Sequence, residues 1–169
     1  MLIALISDVH GNLPALEAAV ADARERGADR IVCCGDLTGY GPFPDEVCCF
    51  MEDQRVPALL GNYDRKVIDV VRKGNVVADG MKSKKREILL WTVQQLGKRG
   101  RRYLAALPER LELRIPEGDH TLLAVHGSAV SADDTIYPSI TAAGLAGKLG
   151  RDCPAILACG HTHIPFARR

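Results

Sequence analysis

The sequence predicts an α/β fold in which mixed sheets are flanked by helices. Five short apolar runs alternate with segments of helical spacing, and this alternation is typical of α/β proteins. A sixth run, RLELRI, alternates apolar and polar residues, as antiparallel strands with one exposed face do. Because 47% of the 169 residues are hydrophobic and 25% are charged, ordinary values for a globular protein, we expect a single domain over residues 1–169.

The uniformly apolar runs predict strands that are covered on both faces. They span Leu2–Ile6, Arg30–Cys34, Val56–Leu60, Thr121–Val125 and Ala155–Cys159. The alternating run, Arg110–Ile115, is joined to Thr121–Val125 by the turn sequence PEGDH, which predicts an antiparallel hairpin. The sheet architecture should therefore be mixed.

Helices are predicted between most of the strands. The first, Pro14–Arg26, has proline in its first turn and ends at Gly27, which is the usual asymmetry of helix termini. The others are predicted at Pro44–Glu52, at residues 64–73 and at Lys84–Leu107, the last broken around Gly97 and Gly100.

Charge and hydropathy exclude several classes of protein. A formal net charge of +1 gives no overall attraction to nucleic acid or to an anionic membrane. The apolar start of the chain, Met1 to Ile6, is too short for a signal peptide or a membrane span. We therefore expect a cytoplasmic protein that binds neither membranes nor nucleic acid.

Basic residues form two local clusters, at Lys82–Arg86 and Lys98–Arg102. The simpler interpretation is a solvated helical face. The alternative is a surface that attracts a phosphorylated substrate or RNA, although no interleaved aromatic residues support a platform for single strands.

The six cysteines lack the spacing of a zinc site or a redox motif. They occur as Cys33-Cys34, Cys48-Cys49, Cys153 and Cys159, with no C-x-x-C among them. We interpret them as small buried hydrophobic side chains with inert thiols.

Each apolar run is followed within a residue or two by potential metal ligands. In chain order these are Asp8 and His10, then Asp36, Asn62, His126, and finally His161 with His163. Sites in α/β sheets gather beyond the carboxyl ends of the strands, so we expect these side chains to converge. Any one of them alone is more commonly a turn or core residue. Together, carboxylate, amide and imidazole donors predict a centre for Mn, Fe, Zn or Ni.

Five motifs, DVHG, GDLTGYGP, GNYD, VHGS and GHTH, resemble those of the calcineurin-like metallophosphoesterase superfamily, particularly its small bacterial and archaeal phosphodiesterases. The likeness runs from Asp8 to His163. It implies a metallophosphoesterase-like α/β sandwich with two divalent transition-metal ions, manganese first among them. In the implied site, Asp8, His10 and His163 hold one ion, Asn62, His126 and His161 hold the other, and Asp36 bridges them.

The resemblance also implies the activity. A hydroxide bridging the two ions would hydrolyse a phosphodiester bond of a small phosphorylated or nucleotide-like substrate, with Asp8, His10, Asp36 and Asn62 as the catalytic residues. Two alternatives stay open on the same fold. The protein could be a phosphomonoesterase, or a scaffold without catalytic activity.

Tyr63 departs from the family pattern, in which the third motif usually reads Gly-Asn-His-Asp and the histidine lies near the leaving group. A phenol, with a pKa of about 10, is a weaker acid at neutral pH than an imidazole, with a pKa of about 6.5. We expect Tyr63 to shape the pocket rather than to donate a proton.

The C-terminal side of the motifs also departs from the family pattern. Relatives continue past Gly-His-Thr-His into further strands and a segment resembling Asn-Pro-Gly-Ser, so we expect C-terminal strands to be missing from these residues. Ala155–Cys159 should then lie near an uncovered edge, and such edges favour pairing with another chain as a homodimer. Residues 128–139 should form a loop at the mouth of the site.

Overall fold

Two small sheets and six α-helices make up the described part of the chain, in a computed structural model that covers residues 1–116, 118–151 and 154–169. In the first sheet, β1 (Ile3–Ile6) pairs in parallel with β2 (Arg30–Cys33). In the second, β3 (Arg110–Ile115) pairs antiparallel with β4 (His120–Val125), and β4 pairs in parallel with β5 (Ile156–Ala158). The predicted mixed α/β architecture is confirmed, and so is the hairpin, although Glu117 in its turn lies outside the described residues.

The helices follow the predicted order. The first, α1 (Leu13–Glu25), is capped by Asn12, whose side-chain oxygen accepts a hydrogen bond from the Ala15 backbone N–H at 3.2 Å. The others are α2 (Pro44–Asp53), α3 (Asn62–Lys73), α4 (Ser83–Gln95), α5 (Lys98–Ala106) and α6 (Ala142–Lys148), with a 3-10 turn at Asn75–Ala78. The sequence does not predict α6, because its short span contains two glycines, each of which lowers helix propensity by about 1 kcal/mol.

The predicted helix Lys84–Leu107 breaks at Gly97, as predicted. It does not break at Gly100, so that part of the prediction is wrong. Gly100 lies buried inside α5, where a Cβ would collide with Asp45 Oδ1 and approach Leu96 Cδ2 to 3.0 Å. The same Asp45 oxygen accepts a hydrogen bond from the Gly97 backbone N–H at 2.9 Å. Gly100 therefore serves the close approach of α2 to α5 rather than a turn.

The predicted strand Val56–Leu60 is also wrong as a regular strand. Ala58 forms an isolated parallel bridge with Cys33, but no ladder extends from it. The preceding residue, Pro57, has no N–H to give to a neighbour, and the N–H of Leu60 binds the carbonyl of Pro108 at 2.7 Å. The segment still runs beside β2, so the residues that follow it reach the same edge of the sheet.

Two apolar clusters lie on opposite faces of β2. Cys33 faces the larger cluster, which lies among the helices and includes Leu16, Met51 and Leu104. Val32 and Cys34 face the smaller cluster, which joins β2 to the second sheet through residues such as Leu122. The strand thus forms a wall shared by both cores, as expected for a run whose apolar residues from Ile31 onward do not alternate with polar ones.

The interpretation of the cysteines as buried side chains is confirmed for three of the five that the structure describes. Cys33, Cys34 and Cys48 are buried, whereas Cys49 and Cys159 are half-buried, and all five are free thiols. Burial raises the pKa of the Cys34 thiol to about 12, so it is neutral and unreactive at physiological pH. The interpretation of Cys153 as a buried thiol falls on a residue outside the described part of the chain.

The outermost apolar runs are not covered on both faces, contrary to prediction. Leu5 on β1 is 50% exposed and Ile156 on β5 is 40% exposed. The order of the second sheet is β3-β4-β5, which leaves β5 at an edge, as the sequence predicts. Association through this edge as a homodimer stays a prediction, which light scattering can test.

The second basic cluster is built into the helical layer. Arg99 pairs with Glu52 and Asp53 on α2, and the Arg101 guanidinium donates to the carbonyls of Leu96 and Val93, each at 2.9 Å. These contacts favour the structural interpretation of the cluster over an attractive surface for RNA. None of the described helices combines the length and the apolar composition that crossing a bilayer requires.

We expect Gly100→Ala to destabilise the protein although alanine is the better helix former. The added methyl group must displace the Asp45 carboxylate, and overpacking of this kind costs about 1–3 kcal/mol. Gly147→Ala in α6 is the matched control, because nothing lies within 4 Å of the place that its Cβ would take, and it should stabilise by up to about 1 kcal/mol. Urea unfolding of both variants measures the difference, and equal effects of the same sign would contradict the proposed packing.

Candidate metal centre

Six of the seven predicted ligands form two groups beyond the strand ends. The first group contains Asp8, His10 and His163, and the second contains Asp36, His126 and His161. Within each group, one nitrogen or carboxylate oxygen from each residue lies within 4.8 Å of the others. The convergence predicted from the strand ends is therefore present in the structure.

The backbone turns sharply at these positions. Five of the six residues adopt the left-handed conformation, with φ of 56° at Asp8, 48° at His10, 53° at Asp36, 69° at His161 and 57° at His163. Such conformations cost non-glycine residues about 1–3 kcal/mol each and persist only where the surroundings enforce them. The hydrogen bond from the His10 N–H to the Asp36 carbonyl, at 2.9 Å, is one such constraint. Strain is concentrated at the candidate ligands.

Backbone carbonyls fix the tautomers of two histidines. His10 Nδ1 lies 3.0 Å from the Thr38 carbonyl oxygen, and His126 Nδ1 lies 2.8 Å from the carbonyl oxygen of Cys34. Because a carbonyl only accepts, each Nδ1 carries a hydrogen and donates it, and in the neutral ring Nε2 carries the lone pair. This is the arrangement that orients a metal-binding imidazole.

Asp36 belongs to the second group and also lies close to the first. Its Oδ1 accepts a hydrogen bond from the Tyr63 backbone N–H at 2.8 Å, and its Oδ2 lies 3.8 Å from His10 Nε2 and 3.3 Å from His126 Nε2. One oxygen is thus held by the protein while the other faces a nitrogen from each group. Two imidazole nitrogens beside one carboxylate oxygen need a proton or a cation to hold them together.

The electrostatics of the site reflect this need. Burial raises the pKa of Asp36, but the hydrogen bond and charge of His126 outweigh burial and hold the pKa below its usual range. Burial lowers the pKa of His126, and the Asp36 carboxylate more than reverses the effect. The pKa of His161 is lowered by burial and by the neighbouring His126. A neutral imidazole is the form in which His161 can bind a metal ion.

The first group passes a simple test of fit for a cation. Asp8 Oδ2 accepts a hydrogen bond from the His161 backbone N–H at 2.9 Å, whereas the buried Oδ1 has no hydrogen-bond partner in the described chain. Oδ1 lies 3.4 Å from His163 Nε2 and 4.0 Å from His10 Nε2. A buried carboxylate oxygen without a donor is costly, and a cation among these three atoms would remove the cost.

The seventh candidate, Asn62, occupies the first turn of α3, one residue before the Tyr63 N–H that binds Asp36. Its amide nitrogen donates to Asp133 Oδ1 at 2.9 Å. This contact assigns the nitrogen to Asp133 and leaves the amide oxygen available for an interaction with a hard divalent ion.

The described structure adds two carboxylates to which sequence reasoning assigned no role. One is Asp133, for which no motif gave a signal. The other is Asp64, fully buried in the GNYD motif, which accepts hydrogen bonds from four donors: the N–H groups of Leu37, Thr38 and Gly61 and the Thr38 hydroxyl, at 2.7–3.2 Å. Asp64 therefore ties the loop after β2 to the start of α3. Burial and the charge of Asp36 raise its pKa, and these hydrogen bonds oppose the rise.

Tyr63 packs into the wall of the site. Its ring is buried against Gly39, where a Cβ would collide with it, and lies 6.1 Å from the ring of His10. The hydroxyl is buried without a hydrogen-bond partner in the described residues, and burial raises its pKa well above the usual value. These contacts favour a packing role over proton donation.

The segment after His126 forms a loop beside the centre, where the sequence predicts the mouth of the site. The Ser128 hydroxyl donates to Asp134 at 2.6 Å, and Asp134 pairs with Lys148 at 2.8 Å. The loop helps to line a cavity of about 170 Å³ that also contacts His126 and Arg65. The loop and His126 therefore face the same cavity.

Comparison with known proteins gives a family and several relatives. The family model for the calcineurin-like phosphoesterase superfamily domain matches residues 1–169. A curated but uncharacterised protein of Methanocaldococcus jannaschii is 33% identical over 119 residues, which cover 68% of this chain and 45% of that protein.

Two solved structures are also similar. A metallophosphoesterase from Sphaerobacter thermophilus has a TM-score of 0.71 at 33% identity, over 96% of this chain and 61% of that one. A protein from Pyrococcus horikoshii OT3 has a TM-score of 0.74 at 26% identity, over 88% and 64%. The chain thus spans less than two thirds of the length of each relative named here.

We expect Asp133→Ala to weaken metal binding at the second group. Without the carboxylate, the Asn62 amide loses the contact that orients it, and loss of such outer contacts lowers metal affinity by about 10- to 100-fold. Asp119→Ala, which removes an exposed carboxylate paired with Arg114 in the β3–β4 turn, is the control. Calorimetric titration with Mn²⁺ compares the two, and unchanged affinity in Asp133→Ala would contradict the assignment.

Proposed function

Because the chain belongs to the calcineurin-like phosphoesterase superfamily, we propose that it is a metal-dependent hydrolase of phosphodiester bonds in small phosphorylated or nucleotide-like substrates. The observation that carries this proposal is the position of one atom, Asp36 Oδ2, near Nε2 of His10 in the first group and of His126 in the second. Two cations about 3.5–4 Å apart need a shared anion to offset their repulsion. Asp36 is suited to that role.

The proposed ligand sets follow from the two groups. Asp8, His10 and His163 hold one divalent ion, and Asn62, His126 and His161 hold the other, with Asp36 between them. When bound, two such ions supply Lewis acidity and a water activated near neutral pH. Manganese, iron, zinc and nickel all suit this set of nitrogen and oxygen donors.

In the proposed reaction, the groups of the protein bind and orient the ligands and the substrate, and none of them acts as the nucleophile. Thr38 and Cys34 direct the histidine lone pairs through their carbonyls, and the Tyr63 N–H holds the fixed oxygen of Asp36. The exposed member of the site is His163, whose side chain is 57% exposed and marks the side from which a substrate can enter. The scissile phosphate would therefore approach on the His163 side.

Charge around the centre favours a diester over a monoester. The cations closest in sequence to Asn62 are already paired, Arg65 with Glu109 at 3.0 Å and Lys66 with Asp133 at 3.9 Å. A phosphomonoester dianion depends more on unpaired cationic side chains than a singly charged diester does. This pairing supports the phosphodiesterase proposal over the phosphomonoesterase alternative.

We expect Asp36→Asn to abolish hydrolysis and leave the fold intact. Asparagine can still accept the Tyr63 hydrogen bond through its amide oxygen, but it lacks the negative charge that both ions require. The assay measures hydrolysis of bis(p-nitrophenyl) phosphate at saturating Mn²⁺, bound metal by elemental analysis, and the fold by circular dichroism.

Asp22→Asn, which changes an exposed carboxylate on α1 paired with Arg26, is the control. Wild-type turnover by Asp36→Asn would rule out the shared ligand. A wild-type protein that contains no metal and cannot be reconstituted with it would contradict the proposal of an enzyme and favour a scaffold.

The tyrosine at position 63 should affect how the rate depends on the leaving group. With no imidazole to protonate the departing oxygen, rates should depend strongly on the acidity of the leaving alcohol. We expect p-nitrophenyl phosphate to be cleaved faster than an alkyl phosphomonoester, which has a less acidic leaving alcohol, and we expect Tyr63→His to reduce this difference. Bis(p-nitrophenyl) phosphate has the same leaving group as p-nitrophenyl phosphate, so its faster cleavage would test the preference for diesters. Because the Tyr63 hydroxyl has no partner in the described chain, Tyr63→Phe should change each rate by no more than about twofold.

Equal rates for the aryl and the alkyl monoester would contradict the argument from the leaving group, and a tenfold preference for p-nitrophenyl phosphate over bis(p-nitrophenyl) phosphate would contradict the preference for diesters. A Tyr63→His variant with unchanged sensitivity to the leaving group would also contradict the argument from the leaving group.

A further inference from the structure

Tyr40 is an exposed aromatic residue beside the candidate metal centre. Its residue surface is 54% exposed, yet its ring lies 4.8 Å from the ring of His10 in an edge-to-face arrangement and 5.0 Å from the ring of Tyr63. The ring therefore rests on the wall of the site and leaves much of its surface open to solvent.

The backbone of Tyr40 is held in a strained conformation. Its φ of 62° is left-handed, which is rare for a bulky residue. Among the other non-glycine residues of the described chain with this conformation, five are candidate metal ligands. The remaining two have local reasons, since Arg55 follows the end of α2 and Asp119 lies in the β3–β4 turn.

Tyr40 is the central residue of a three-residue turn, in which the Gly41 N–H donates to the Gly39 carbonyl at 2.8 Å. A second contact of the same N–H joins this strained turn to the loop that carries His10. The Gly41 N–H donates to the His10 carbonyl at 2.8 Å, and a Cβ on Gly41 would collide with that carbonyl and with the backbone of Gly11. These contacts hold the backbone of Tyr40 beside His10. Strain of this kind gathers at functional sites.

We propose that Tyr40 stacks on a planar ring of the substrate, a nucleobase or an aryl group, and so selects aromatic phosphoesters for the metal centre. The proposal deepens the proposed function and rests on it. A phosphate bound at the first group would lie beside His10, so a ring attached to that phosphate would reach the exposed surface of Tyr40. Stacking uses the π-face that every base presents, which predicts tolerance among bases together with discrimination against sugars that lack a base.

The experiment compares two ligands that differ only by the base. Affinities of 5′-AMP and ribose 5-phosphate for the full chain reconstituted with Mn²⁺ are measured by calorimetry. Wild-type protein should bind 5′-AMP roughly tenfold more tightly than ribose 5-phosphate, a ratio within the range of base stacking on an aromatic side chain. Tyr40→Leu, which keeps an apolar side chain but removes the ring, should lose that ratio, while its affinity for ribose 5-phosphate changes by less than about twofold.

Two further variants complete the test. Tyr40→Phe retains the ring and should keep the preference for 5′-AMP within about twofold. Trp91→Leu removes another exposed aromatic residue, on α4, and should change neither affinity.

Equal affinities of wild-type protein for the two ligands would overturn the role of Tyr40. An equal loss of both affinities in Tyr40→Leu would overturn it as well, because Tyr40 would then act by supporting His10. Hydrolysis of bis(p-nitrophenyl) phosphate by the same preparations separates the two proposals. Activity with equal affinities contradicts the stacking role alone, whereas no activity and no binding of either ligand contradict both.

Discussion

The architecture of the candidate site depends on the buried carboxylate of Asp64. Four hydrogen bonds from the loop after β2 and from the residue before α3 converge on it, and they join segments up to 27 positions apart along the chain. An isolated carboxylate in this place would cost several kcal/mol in lost hydration, so its presence makes sense only with every donor in position. Because Asp36 and Asn62 lie on the two joined segments, the Asp64 hydrogen bonds help to set their separation, together with the hydrogen bond from the Tyr63 N–H to Asp36.

Without bound cations, the conformation of the site that Asp64 supports is energetically unfavourable. Candidate ligands adopt left-handed backbone conformations, a carboxylate oxygen of Asp8 lies buried with no donor among the described residues, and the Nε2 atoms of two histidines lie within 3.8 Å of Asp36 Oδ2. Each feature costs free energy in the folded state. Cations would relieve the last two at once, so binding of metal should contribute to stability as well as to chemistry.

Sequence reasoning could predict the ligands better than the contacts that hold them. Asp36 and His126 are visible because each stands beside a glycine at the end of an apolar run, and parallel strand ends meet at one edge. Nothing in the sequence around Asp133 connects it to Asn62, because their hydrogen bond spans 71 positions. The run Val56–Leu60 reads as a strand, yet it makes one isolated bridge, since its pairing depends on distant neighbours. Spacing reveals residues that share a strand end, and it cannot reveal contacts that the fold creates.

The position of α3 has an electrostatic consequence for the centre. The helix begins at Asn62, its Tyr63 N–H donates to Asp36, and Asp64 accepts from the N–H of Gly61 just before it. Aligned peptide dipoles place the equivalent of about half a positive charge at such an end. The carboxylates of Asp36 and Asp64 therefore share a permanent partial positive charge that comes from the backbone alone. Unlike a metal ion, it cannot dissociate, be chelated or exchange, so the two carboxylates keep some compensation whether or not an ion is bound.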